Sequence, residues 1–190
     1  MIKKAYKRKI IIAVFAGSVL FVGHNSTAWA KGRAVQISSG HQHTCAVQGD
    51  GTLVCFGDNY IGQATPPSGA FSQVSAASGY TCGIRSGGTV ECWGENFYGQ
   101  ALAPRTGAFT QLSTGEYHSC GLHADGTIEC WGRDAYGEAS PPSGTFSQVS
   151  VGSAHTCGLR TDGTAECWGY DYFGQATPPS GVFSQLSSGG

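Results

Sequence analysis

The 190-residue chain is rich in glycine (30 residues) and poor in charge (12%), with a formal net charge of −1. From residue 31 onward Lys31, Arg33, Arg85, Arg105, Arg133 and Arg160 stand against all twelve acids, a net charge of −6. That balance excludes binding of nucleic acid or anionic lipid through bulk charge, and about 160 glycine-rich residues suit one turn-rich all-β domain.

The remaining bases crowd the amino end. Lys3, Lys4, Lys7, Arg8 and Lys9 form a basic head, Ile10 to Val22 a short apolar run, and Ala28-Trp29-Ala30 a cleavage motif. This is the three-part layout of a secretory signal peptide spanning residues 1–30. The run is shorter than the ~20 residues of a spanning helix, so no membrane span is expected. The expected location is secreted or periplasmic, where disulfides persist.

Residues 31–190 form one domain of repeats: 34–70, 71–108, 109–145, 146–182 and the start of a fifth at 183–190. Each full repeat carries a Cys-x9-Cys pair. The leading cysteines are Cys45, Cys82, Cys120 and Cys157, and their partners are Cys55, Cys92, Cys130 and Cys167. The third repeat begins one residue late, because Leu102 to Thr106 replaces a four-residue Thr/Ser-Pro-Pro-Ser, and such insertions map to loops.

The segment between paired cysteines reads as a β-hairpin. Thr161-Asp162-Gly163 fits a three-residue turn ending in a left-handed glycine. Leu159 then faces Ala165, and Cys157 faces Cys167 at a non-hydrogen-bonded site, with Cα atoms ~4.5 Å apart. An even cysteine count and the repeat register predict bridges 45–55, 82–92, 120–130 and 157–167. A short strand such as Phe146–Ser150 precedes each hairpin, giving three strands per repeat. Cys82, Ile84, Val90 and Cys92 share one face, and Gly83, Gly121 and Gly158 lie on the other, where they would admit a neighbouring sheet. Hairpins apolar on both faces stack between similar hairpins. The expected fold is therefore all-β: a propeller-like array of about four three-stranded blades.

Gly-x-x-His-Thr-Cys-Gly-Leu, Asp-Gly-Thr-x-x-Cys-Trp-Gly and Tyr/Phe-Gly-Gln-Ala resemble the repeat of the regulator of chromosome condensation (RCC1) superfamily. The short period is similar to that of its secreted bacterial branch, which includes β-lactamase inhibitor protein II. The resemblance covers about residues 35–190. It implies a β-propeller that binds protein partners through loops on one face. Rings of this family usually carry seven blades, whereas this chain has five first strands and four hairpins. It reads as an open stack, a truncated product, a closed four-blade ring or half of a two-chain ring.

Residues encoded four times are there for architecture. Asp50, Asp125 and Asp162 read as turn residues, and Glu91, Glu129 and Glu166 as exposed strand positions. His43, His118 and His155 precede the cysteines but Tyr80 breaks the set, so they read as backbone-bonded structural histidines rather than metal ligands. His41 and His123 read as plain surface residues. No unique carboxylate dyad, nucleophile set or phosphate loop stands out, so catalytic, metal and cofactor sites are all read as none.

The loop after each third strand varies more. Its bulky position before glycine (Ile61, Tyr98, Tyr136, Phe173) reads as core. Varied residues on a constant frame suit binding, which singles out Tyr60, Phe97, Arg133, Tyr170 and Tyr172. Glu116 and Tyr117, in a second varied patch, join them. The expected function is non-catalytic binding of a protein, such as inhibition of a secreted or periplasmic enzyme. A carbohydrate-binding module (a glycan partner) is the second reading, and a self-associating or truncated structural fragment the third.

Overall fold

In the computed structural model residues 32–189 are described. Before them only the backbone of two short antiparallel strands is, β1 (Ile12–Phe15) and β2 (Ser18–Phe21). The rest of the targeting segment, including the Ala28–Ala30 motif, lies outside the described residues.

Twelve further strands form four antiparallel three-stranded sheets in chain order. The first contains β3 (Ala34–Ser39), β4 (His43–Gln48) and β5 (Leu53–Gly57). The second contains β6 (Phe71–Ala76), β7 (Tyr80–Arg85) and β8 (Val90–Gly94). The third contains β9 (Phe109–Thr114), β10 (His118–His123) and β11 (Ile128–Gly132). The fourth contains β12 (Phe146–Val151), β13 (His155–Arg160) and β14 (Ala165–Gly169).

The hairpin register is the one read from the sequence. Leu159 faces Ala165 and Cys157 faces Cys167. The turn closes through Arg160 N–H to Thr164 O at 2.8 Å, and Gly163 has φ +86°. The Asp162 carboxylate accepts the Thr164 N–H at 2.9 Å, which accounts for the Asp-Gly-Thr motif as turn chemistry. All four cysteine pairs are bridged, with Cα atoms 4.0–4.1 Å apart.

Each sheet presents its cysteine face to the next. Cys120 and Leu122 of the third sheet pack on Phe146, Val149 and Val151 of the fourth, and the second packs on the third in the same way. First strands lie beside first strands along the inside of the array. The packing runs from the first sheet to the fourth as an open, incomplete propeller.

The strand glycines serve a purpose beyond the one expected. A Cβ on Gly83, Gly121 or Gly158 would strike the ring of Phe71, Phe109 or Phe146 of the same sheet at 2.4–2.7 Å. The glycine therefore seats a phenylalanine of its own first strand, and at Gly158 a Cβ would also meet Ile128 of the preceding sheet at 3.3 Å. The first sheet, with Ala46 at this place, carries Ala34 instead of phenylalanine. Over Phe71 and Phe146 lie the guanidinium groups of Arg85 and Arg160, 4.6 and 4.8 Å from the ring centres. Those arginines pair with Glu91 and Glu166, so these carboxylates are not simple exposed strand positions. His123 fills the arginine's place in the third sheet. It lies 4.1 Å from the Phe109 ring and 3.1 Å from Glu129, which corrects its reading as a plain surface residue.

Two of the histidines before the cysteines, His43 and His118, meet hydroxyls of the next sheet through their side chains rather than backbone groups. His43 Nε2 lies 2.7 Å from Thr81 Oγ1, and His118 Nε2 2.7 Å from Thr156 Oγ1. Tyr80 performs the same task, its hydroxyl 2.8 Å from Ser119 Oγ, so a bulkier residue keeps the pattern. Burial, and then the charge of His155, push the His118 imidazole down to about 4. A neutral ring suits a hydrogen bond sealed between two sheets.

Glutamine side chains form a second bond between sheets. Gln73 Nε2 donates to Leu112 O at 3.0 Å and its Oε1 accepts the Leu112 N–H at 2.9 Å. Gln36 does the same for Val74, and Gln148 for Leu186. Residues 183–188 thus occupy the seat of a fifth first strand. They carry no strand assignment.

Candidate functional site

The loop after each third strand is held from within. In the second sheet Asn96 Oδ1 accepts the Ala101 N–H at 2.9 Å, and Gln100 Oε1 accepts the Tyr98 N–H at 2.8 Å. Asp134 and Glu138 make the equivalent bonds at 2.8 and 2.6 Å, as do Asp171 and Gln175 at 2.7 and 2.9 Å. The carbonyl of residue 100 also accepts the indole N–H of Trp131 in the next sheet at 3.0 Å. With the loop backbone satisfied internally, the side chains before its glycine are free to point outward.

They do. Ile61, Tyr98, Tyr136 and Phe173 are exposed, which corrects their reading as core. Bulk recurs at this position because the loop turns it out beside the neighbouring loop, where rings meet.

The outcome is a row of aromatic rings across three sheets. Phe97 meets Tyr98 (5.9 Å between centroids), and Tyr98 meets Tyr117 (5.2 Å). The Arg133 guanidinium bridges Tyr117 and Tyr136, 5.6 and 5.1 Å from their centres. Tyr136 then meets Tyr170 at 4.9 Å, and Tyr170 lies 6.4 Å from both Tyr172 and Phe173. Six of the seven residues singled out from the sequence converge here: Phe97, Arg133, Tyr170, Tyr172, Glu116 and Tyr117. Tyr60 is exposed on the loop of the first sheet and takes no part in this row. Tyr98, Tyr136 and Phe173 complete the row and were missed. Their constancy across repeats was the signal, read as burial instead of as ring-to-ring contact.

Charge on this face is ordered. Glu116 accepts a hydrogen bond from Ser153 of the fourth sheet at 2.7 Å. Hydrogen bonds from Tyr117 and then Ser153 hold its carboxyl below the usual range, so it stays ionised. Arg133 lies 3.8 Å from Glu138, which is buried where the other repeats carry Gln63, Gln100 and Gln175. Arginine and buried glutamate occur together in this one repeat, the cation beside the anion.

A second feature is a groove of about 550 Å³ along the inner ends of the first strands, lined by Gly40, His41, Ala77, Gly115, Glu116 and Gly152 among others. Its walls are mostly small residues and backbone, with no row of anchors. Among the described residues no helix is long and apolar enough to cross a membrane.

Three-stranded, disulfide-closed sheets stacked first strand to first strand, with rings aligned along their loops, define a propeller-type repeat array. The chain belongs to the regulator of chromosome condensation (RCC1) repeat family, whose model matches residues 34–63, 71–100, 109–138 and 146–175. Each match runs from the first strand to the glutamine or glutamate that braces the loop. No curated protein matches the chain. In fold it is similar to the ectodomain of the Physcomitrella patens receptor kinase CR4, at 28% identity and a TM-score of 0.73, over 86% of this chain and 47% of that one. The Arabidopsis thaliana receptor kinase ACR4 ectodomain gives 25% and 0.72, over 83% and 59%. Prp20p from Saccharomyces cerevisiae, a structure described together with its binding to Gsp1p and histones, gives 15% and 0.74, over 91% and 57%. The chain spans about half the length of these solved structures.

Proposed function

We propose that the protein is an exported, non-catalytic binding module that captures another protein on the aromatic face of its second, third and fourth sheets. The observation that carries this reading is the unbroken row from Phe97 to Phe173, in which rings such as Phe97 (87% exposed) and Tyr172 (78%) stand in solvent on braced loops. Pre-ordered aromatics with one arginine among them are the composition of interface anchors, since they bury much area at little entropic cost. Four disulfides, and the likeness to two receptor ectodomains, support an oxidising compartment outside the cytoplasm. This agrees with a signal peptide over residues 1–30. Inhibition of a secreted or periplasmic enzyme is the form of binding we favour.

The test begins with capture of partners from the exporting compartment, followed by titration of the purified partner with wild type, Tyr136→Ala and Tyr172→Ala. Loss of an anchor at the centre of an interface costs about 2 kcal/mol or more, roughly 30-fold in Kd. Equal Kd for all three proteins would overturn the assignment of the face. Saturable binding to a purified glycan, with no protein partner, would replace it with the carbohydrate reading.

A further inference from the structure

The interface between consecutive sheets is built three times from the same parts, and among the described residues the first and fourth sheets each display one half of it. On the receiving side, the fourth residue of each first strand is bonded through its backbone to a glutamine of the preceding sheet, and is buried: Val74 is 1% exposed, Leu112 3% and Val149 1%. Two residues on, a backbone N–H is taken by a serine of that sheet, as Ser38 Oγ takes Ala76 N–H at 2.9 Å and Ser113 Oγ takes Val151 N–H at 3.0 Å. Thr81, Ser119 and Thr156 receive His43, Tyr80 and His118.

The first sheet carries the receiving half without an occupant among the described residues. Ile37 stands where Val74 does yet is 65% exposed. Thr44 holds the place of Thr81, and among the described residues its hydroxyl reaches only Ser39, at 3.3 Å in an exposed setting. The fourth sheet carries the giving half. His155 holds the place of His43 and His118 but meets no matching hydroxyl among the described residues. Among the described residues the side chains of Gln148 and Ser150 are engaged by the segment 183–188: Leu186 N–H and C=O bond to Gln148 at 2.9 Å, and Ser188 N–H to Ser150 at 2.8 Å. Leu186 in this seat is half-buried, unlike Val74, Leu112 and Val149.

We propose that the first sheet docks on the fourth sheet of a second copy of this chain, in the register of the internal repeats, with residues 183–188 as the exchangeable occupant of that seat. Ile37 of one copy pairs with Gln148 of the other, its Ser39 N–H with Ser150, and its Thr44 hydroxyl with His155. The occupant is a second copy because the complement is printed on the same chain: the repeats that fill this interface internally show which side chains fit. The contact is head to tail, so two copies joined at both ends close a ring. The inference is independent of the aromatic face and of what that face binds.

The experiment is native mass spectrometry and sedimentation of the oxidised, exported chain at several concentrations. Leu186→Asp removes the apolar anchor of the segment and vacates the seat. It should shift the population to a two-chain species, with at least a tenfold lower dimer Kd than wild type. Ile37→Asp in the Leu186→Asp background should return the protein to single chains. A wild type already paired, and split by Ile37→Asp alone, supports the same interface. A Leu186→Asp chain that keeps four bridges and native circular dichroism but stays single overturns the proposal. So does a pair that ignores Ile37→Asp. Should Leu186→Asp fail to fold, Ser188→Pro, which deletes the N–H given to Ser150, is measured by the same criteria.

Discussion

Truncating Gln73 to alanine isolates the bond that joins one sheet to the next. The side chain makes two hydrogen bonds to the backbone of Leu112, at 3.0 and 2.9 Å, and Leu112 is buried. Each neutral hydrogen bond contributes about 1 kcal/mol net, and each buried group left unpaired costs about 1–3 kcal/mol. Water reaching part of the vacated space reduces that sum, so Gln73→Ala should lose about 2–4 kcal/mol. At roughly 2–4 °C per kcal/mol for a domain of this size, Tm should fall by about 5–15 °C. The matched control is Gln185→Ala, the same repeat position at the end of the array. Its side chain holds no sheet among the described residues, so the change should stay within about 0.5 kcal/mol. Urea unfolding of both oxidised variants, followed by fluorescence and circular dichroism together, tests the pair and exposes any non-two-state step of a repeat array. A Gln73→Ala midpoint equal to that of Gln185→Ala would refute the view that these glutamines carry the packing between sheets.

Three further outcomes are expected. Reduction of the four bridges, each closing a short hairpin and contributing about 2–3 kcal/mol, should unfold the domain in native buffer, read by circular dichroism against the oxidised protein. Because the folded His118 value of about 4 lies below the ordinary 6.5, its contribution is complete above pH 6.5 and is lost as pH falls from 6.5 towards 4. That amounts to roughly 3 kcal/mol at full loss. A urea series from pH 7 to 4 should show this slope in wild type and a smaller one in His118→Gln. His43 and His155, also lowered chiefly by burial, act in the same direction. Arg133→Ala should destabilise by about 1–3 kcal/mol, because it leaves the buried Glu138 without its cation. Adding Glu138→Gln should restore most of the loss, and thermal melts of the two proteins decide it.

The sequence by itself determined what is local and repeated. Turn chemistry at Asp162-Gly163 and a period of two along the strands set the register, and the register brought Cys157 opposite Cys167. From there the three-stranded sheets and their stacking followed, because hairpins apolar on both sides have no other way to leave water. Tertiary structure decided whatever joins residues 38 apart or sets one loop beside the next. Spacing to Cys120 shows that His118 belongs to the repeat, but not that it seeks Thr156, which only the stacking of sheets brings within reach. Constancy at Tyr98, Tyr136 and Phe173 was visible, and burial was the wrong cause for it. The loops brace themselves through Gln100, Glu138 and Gln175, and the freed side chains turn outward to meet one another. A repeat states what each unit must keep; only the packed array shows which of its surfaces find a neighbour and which, like Ile37, are left facing solvent.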